Sequence, residues 1–241
     1  MSINDILIIP DVHGRTFWKE AVEKHPGVST IFLGDYHDPY PYENISERDS
    51  LENFSQIIDY ARSHQHDVTL LLGNHDLHYL CNFGEGCRFD YDNCETMKRL
   101  ILDNLDLFKI ATYRKIGGKT ILFSHAPILT DWIDDVKESY AVPTLVNNLN
   151  QLLEKIDSDT DDLKFKLRCI SFYRGGYDPF GSPIWADMNE IKEDNKNLIP
   201  TPDYSIFGHT QLPTALITEK WANLDSRQAF VLTSDLKFKK I

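Results

Sequence analysis

The sequence predicts an α/β layered domain. Three observations lead there. Five short apolar runs, at 6–9, 31–33, 68–72, 120–123 and 204–207, are rich in Ile, Leu, Val and Phe and lack helical spacing. Stretches between them repeat apolar residues at three- and four-residue steps. The length, 241 residues, fits one domain covering 1–241.

Each run is three to five residues long, the signature of a strand buried on both faces. In 50–61, Leu51, Phe54, Ile57, Ile58 and Ala61 fall on one helical stripe, and Ser46 with Asp49 three residues later marks its start. Met97, Leu100, Ile101, Leu105 and Phe108 repeat the pattern, as do Leu145, Leu149, Leu152, Leu153 and Ile156. Strands alternating with helices give the α/β reading. The acidic stretch 157–162 lacks the glycine and terminal glutamate of a calcium loop and reads as solvated.

Composition narrows the function. Twenty-five basic against 37 acidic residues leave a net charge of −12, which argues against nonspecific nucleic-acid or anionic-membrane binding. No stretch approaches 18 apolar residues, and Met1-Ser2-Ile3-Asn4 leads into the first strand with no basic segment before it. The expectation is a cytoplasmic protein without signal peptide, nucleic-acid partner or membrane partner. Oligomeric state is not readable. Cys81, Cys87 and Cys94 lack the paired spacing of a zinc knuckle and read as reduced thiols.

The polar residues that follow the strands carry the chemistry. Asp11 and His13 follow the first, Asp35 and Asp38 the second, and Asn74, His75 and Asp76 the third; His125 follows the fourth and His209 the fifth. Ligands of such sheets bind at the carboxyl ends of strands. Any one of these residues is by itself an ordinary turn or cap residue. Together, buried carboxylates and imidazoles would cost several kcal/mol each unless cations neutralise them. Carboxylate, amide oxygen and imidazole suit manganese, iron or zinc.

The blocks Asp11-Val12-His13-Gly14, Gly34-Asp35-Tyr36-His37-Asp38, Gly73-Asn74-His75-Asp76, Ser124-His125 and Gly208-His209-Thr210 resemble those of the calcineurin-like metallophosphoesterases. The second block is similar to the phosphoprotein phosphatase branch, including its bacterial members. The resemblance implies a four-layer sandwich, two central mixed β-sheets flanked by helices, and two divalent metal ions, manganese first, with iron or zinc as alternatives. It implies Asp11, His13 and Asp35 on one metal, and Asp35, Asn74, His125 and His209 on the other. His75 would be the general acid, oriented by Asp38. Water shared by two cations about 3.5–4 Å apart would supply the attacking hydroxide, and His75 would protonate the leaving oxygen.

Two departures from the family pattern matter. Gln211 stands where much of the superfamily has a second metal-binding His, a change the phosphoprotein phosphatase branch shares. Pro39 stands where that branch has the arginine that grips substrate phosphate. Arg174, flanked by Gly175 and Gly176, is the expected replacement, with Arg15 as a second choice. His37 and His78 are expected behind the ligands or at the surface.

The expected reaction is hydrolysis of a phosphomonoester, carried by a phosphoprotein or a small phosphorylated metabolite. A dinucleoside polyphosphate hydrolase is the alternative, since the tyrosine-rich loop at 36–42 could stack a base. A metal-binding scaffold without catalysis is the alternative of another class.

Overall fold

The computed structural model describes residues 5–81, 88–156 and 160–241. Cys87 and the stretch 157–159 of the acidic run lie outside the described residues. The chain divides into two units, one of residues up to Phe108 with Arg227–Ile241, the other of Lys109–Ser226.

The strands in chain order are β1 (Ile6–Ile9), β2 (Ser29–Phe32), β3 (Val68–Leu71), β4 (Phe108–Lys109), β5 (Ala111–Ile116) and β6 (Lys119–Ser124). There follow β7 (Tyr204–Phe207), β8 (Leu216–Ile217), β9 (Trp221–Asn223), β10 (Phe230–Leu232) and β11 (Phe238–Lys240). The first sheet has the order β11-β10-β1-β2-β3-β4. Its centre is parallel, with Ile6 opposite Ser29 and Thr30 opposite Val68, and β10 runs antiparallel to β1. All four residues of β1 are buried, as a central parallel strand covered on both faces requires.

Helices α1 (Phe17–Lys24) and α2 (Glu47–Ser63) pack against β1 and β3. The start read from the sequence is present: Ser46 Oγ accepts from the Asp49 amide at 3.0 Å. α2 buries Phe54, Ile57, Ile58 and Ala61, four of the five apolar positions read from its spacing. The short α3 (Asn74–Leu80) and α4 (Cys94–Leu102) complete this unit. No helix among the described residues is long and apolar enough to cross a membrane.

The second unit holds the sheet β5-β6-β7-β9-β8. β5 and β6 form a hairpin closed by Gly117 and Gly118, both at positive φ (57° and 81°), the two-residue turn whose twist matches paired strands. β6, β7 and β9 run parallel. Helices α5 (Thr130–Val136), α6 (Val142–Glu154) and α7 (Thr160–Leu167) belong to this unit, and α6 packs on β5. Two mixed sheets with helices on them match the expected fold class.

Gly14 shows how tightly the loop after β1 is built. Its φ is +77°, and a Cβ there would meet Ser50 Oγ at 2.7 Å and Ile45 at 3.0 Å. Gly14→Ala therefore combines left-handed strain with a clash against α2. It should cost about 1–3 kcal/mol of stability, read as a lowered denaturation midpoint. An unchanged midpoint would refute the tight packing.

Candidate active site

The loops after β1, β2 and β3 are tied to one another before any ligand is considered. Val12 and His13 donate their amides to the Asp35 carbonyl at 3.0 and 2.7 Å, and Gly14 donates to Tyr36. Asp76 binds the other side. Its carboxylate accepts from the Gly73, Asp35 and Tyr36 amides at 2.7, 2.8 and 3.0 Å, joining the β2 loop to the start of α3. Burial pushes the Asp76 carboxyl up to about 7, against the three amides that stabilise its charge.

Asp11, His13 and Asp35 come together on this frame. One ligand atom from each lies within 4.8 Å of the others, and all three residues are buried. His13 Nδ1 lies 2.9 Å from the His37 carbonyl, which places its proton there and leaves Nε2, 3.5 Å from Asp35 Oδ2, as the atom that could coordinate a metal. Burial, then His75, Arg88 and Arg15, lower His13, so its ring is neutral as a ligand must be. Burial, then the neighbouring Asp11 and Asp76 carboxylates, raise Asp35. Crowded buried carboxylates beside a neutral imidazole are a fit for a divalent cation.

His75 and Asp38 form the expected pair. His75 Nδ1 lies 2.6 Å from Asp38 Oδ2, and the His75 amide donates to Asp35 Oδ1 at 3.0 Å. Asp38 also receives His78 Nε2 at 2.9 Å and the Tyr79 hydroxyl. Burial alone would raise Asp38, but the bonds from His75 and His78 outweigh it and hold the carboxyl below its ordinary value. Burial takes His75 down to about 4 despite Asp38, with Arg88 and His78 adding to the drop. Burial thus favours the neutral ring, with the Nδ1 proton facing Asp38. His37 is also behind the ligands, its ring between Ser50 Oγ and Asp90 at 2.9 and 3.1 Å.

In the second unit, His125 follows β6 and His209 follows β7, both buried. His125 Nε2 and His209 Nδ1 face each other at 3.1 Å. Two imidazoles on one ion at 2.0–2.1 Å, with bond angles between square and tetrahedral, stand about 2.9–3.4 Å apart, so the pair has the spacing of shared ligands. Arg174 anchors the same strand end: Nη2 donates to the His209 carbonyl at 2.9 Å and to Thr210 Oγ1 at 2.8 Å, while Nε pairs with Asp187. Asn74 is buried at the first position of α3, and Gln211 is half-buried beyond β7.

Four of the ten non-glycine residues at positive φ among the described residues belong to this set. His13, Asp35, Asp38 and His209 all have positive φ, between 45° and 68°. Each such non-glycine residue costs about 1–2 kcal/mol, a burden that folds carry mainly at functional positions.

The calcineurin-like phosphoesterase family model matches residues 5–213. The chain belongs to this family, and its class of reaction is hydrolysis of phosphoric esters. Among solved structures, a cold-active protein tyrosine phosphatase matches 99% of this chain and 79% of its own at 16% identity, with a TM-score of 0.59, a likeness of fold. A phosphoesterase from E. coli matches 98% of each chain at 11% identity and a TM-score of 0.39. No curated protein matches the sequence.

Sequence reasoning gave Asp76, Tyr79 and Arg88 no role. Asp76 lies inside a block already quoted, three residues after Gly73, a spacing that could have announced a carboxylate closing back on the helix start. Tyr79 and Arg88 carry no local signal. Arg15, the second choice for phosphate, is held by both oxygens of Glu43 at 2.8 and 3.1 Å.

Proposed function

We propose that this phosphoesterase hydrolyses a phosphomonoester, on a phosphoprotein or a small metabolite, with the whole chain as one catalytic domain. The observation that supports this is the direct bond from the His75 amide to Asp35 Oδ1, which ties the helix of the proposed proton donor to a carboxylate proposed as a metal ligand. Asp11, His13 and Asp35 would hold one cation; Asp35, Asn74, His125 and His209 would hold the other, as the family resemblance implies. Manganese is the proposed metal. When bound, the two ions supply an activated water and neutralise phosphate oxygens. The chain's own part is to orient and to move a proton. Asp38 fixes the His75 ring through Nδ1, so Nε2 is the atom that faces a leaving oxygen. Free thiols at Cys81, Cys94 and Cys169 suit the cytoplasm.

A dinucleoside polyphosphate is the second reading. Tyr36 does not serve it, being fully buried and stacked on Phe54 at 4.7 Å. Tyr42 does: it is 61% exposed and packs on Tyr40 at 5.2 Å, a surface on which a base can stack.

Metal analysis with hydrolysis of an aryl phosphate, an alkyl phosphate and a dinucleoside tetraphosphate separates the readings. Two metals per chain with preference for the monoesters are expected. Two metals without turnover of any substrate would leave the scaffold reading. Arg174, the proposed phosphate contact in the second unit, is tested by Arg174→Ala. The Michaelis constant should rise about tenfold for loss of a charged hydrogen bond; unchanged kcat and KM would remove it from substrate binding.

A further inference from the structure

Three contacts hold Arg88 beside the proposed proton donor. Its Nη1 donates to the Asp38 carbonyl at 2.9 Å, its Nη2 lies 3.0 Å from His75 Nε2, and its guanidinium carbon stands 3.6 Å from the Tyr40 ring centroid. That ring also meets His13 edge-on at 5.0 Å, so one tyrosine touches both a metal-ligand imidazole and the cation. The backbone supports this placement. Arg88 has φ 69°, and the next residue, Phe89, stacks on Tyr79 at 4.6 Å and meets His78 edge-on at 4.9 Å. Two side chains of α3 thereby pin the segment that delivers the guanidinium.

We propose that Arg88 grips the phosphoryl oxygens of the substrate, a further guanidinium in addition to the contact proposed for Arg174. The inference rests on the phosphoesterase reading and adds a substrate contact to it. Pro39 brings no donor, but the residue after it, Tyr40, provides a flat face on which an arginine from a later segment lies. A guanidinium has five N–H groups in a rigid fork, and two are used in bonds among the described residues. Its acceptor at His75 is a single ring nitrogen, which carries less negative charge than a phosphate oxygen. An arriving phosphoryl group therefore draws Nη2 from His75 Nε2 to itself, and that nitrogen can then take up a proton from solvent and pass it to the leaving oxygen. Arg15 cannot take this part, because both carboxylate oxygens of Glu43 hold its fork.

The test uses full-length, metal-loaded protein and two readouts: steady-state kinetics on an aryl phosphate, and the affinity for inorganic phosphate measured by calorimetry. In Arg88→Ala, phosphate affinity should fall about 10- to 100-fold and KM should rise, with metal content unchanged. Arg88→Lys, which keeps the charge without the fork, should recover only part of the loss. Tyr40→Leu, which removes the supporting face, should weaken phosphate in the same direction. Wild-type phosphate affinity in both Arg88→Ala and Arg88→Lys would overturn the proposal, as would a fall in kcat alone. If the wild type binds two metals and phosphate but turns over no monoester, the substrate reading fails, and phosphate affinity in the variants still decides the role of Arg88.

Discussion

Asp35→Asn is expected to lower turnover by on the order of 10³-fold or more while making the metal-free protein more stable. The first effect follows from losing a charged ligand that the proposed centre shares between its cations, since such ions contribute several kcal/mol of transition-state stabilisation. The second follows from the environment of the carboxyl group. Burial and the neighbouring Asp11 and Asp76 raise Asp35 above its unfolded value. A carboxyl raised on folding contributes stability below its unfolded pKa and loses it as pH climbs through the folded one. At neutral pH, above the unfolded value, Asp35 therefore opposes folding when no cation is present. Asparagine removes the charge, keeps an oxygen to accept the His75 amide, and tolerates the left-handed backbone at φ 53°. Thermal unfolding in chelator should show a higher midpoint for the variant, about 2–4 °C for each kcal/mol relieved. Added manganese should then reverse the order, because only the wild type gains binding energy from it. A variant that keeps wild-type turnover and metal content would remove Asp35 from the centre.

The same electrostatics explain what could be read from the sequence. The parallel strands were legible because a strand covered on both faces must be apolar throughout, and 6–9 and 204–207 coincide with β1 and β7. Strand β5 was not, because its sequence Ala-Thr-Tyr-Arg-Lys-Ile places three half-exposed or exposed polar residues between its buried ends and so shows no apolar run. Its hairpin partner was visible, and the Gly117-Gly118 turn between them was the unread signal. The C-terminal strands β10 and β11 are three residues each, too short for any period to show. Within the candidate site, the residues proposed as ligands were legible only as a group, because carboxylates and imidazoles recur just past five strand ends. Arg88 was not. Its place beside His75 depends on a bond to the Asp38 carbonyl 50 residues earlier and on the Tyr40 face, neither of which leaves a pattern in the chain.

His75→Asn should separate proton donation from metal binding. The substitution keeps the backbone amide that donates to Asp35 Oδ1, so the ligand carboxylate stays oriented and metal content should be unchanged. It removes the imidazole whose Nδ1 is fixed by Asp38, and general acid catalysis of this kind is worth about 10²–10⁴-fold. The loss should depend on the leaving group. An alkyl alcohol departs poorly without a proton, whereas an activated phenol leaves as a stable anion, so alkyl phosphate hydrolysis should suffer most of the loss and activated aryl phosphate hydrolysis little. Asp38→Asn should reproduce a weaker form of the same selectivity, because an amide can no longer hold the Nδ1 proton in place. Its effect is complicated by the two other donors on that carboxylate, His78 and Tyr79, which then lose their charged acceptor. Comparing the two substrates in His75→Asn therefore isolates the proton transfer. Equal losses on both would mean that the ring acts on the phosphoryl group or on the cations and not on the departing oxygen.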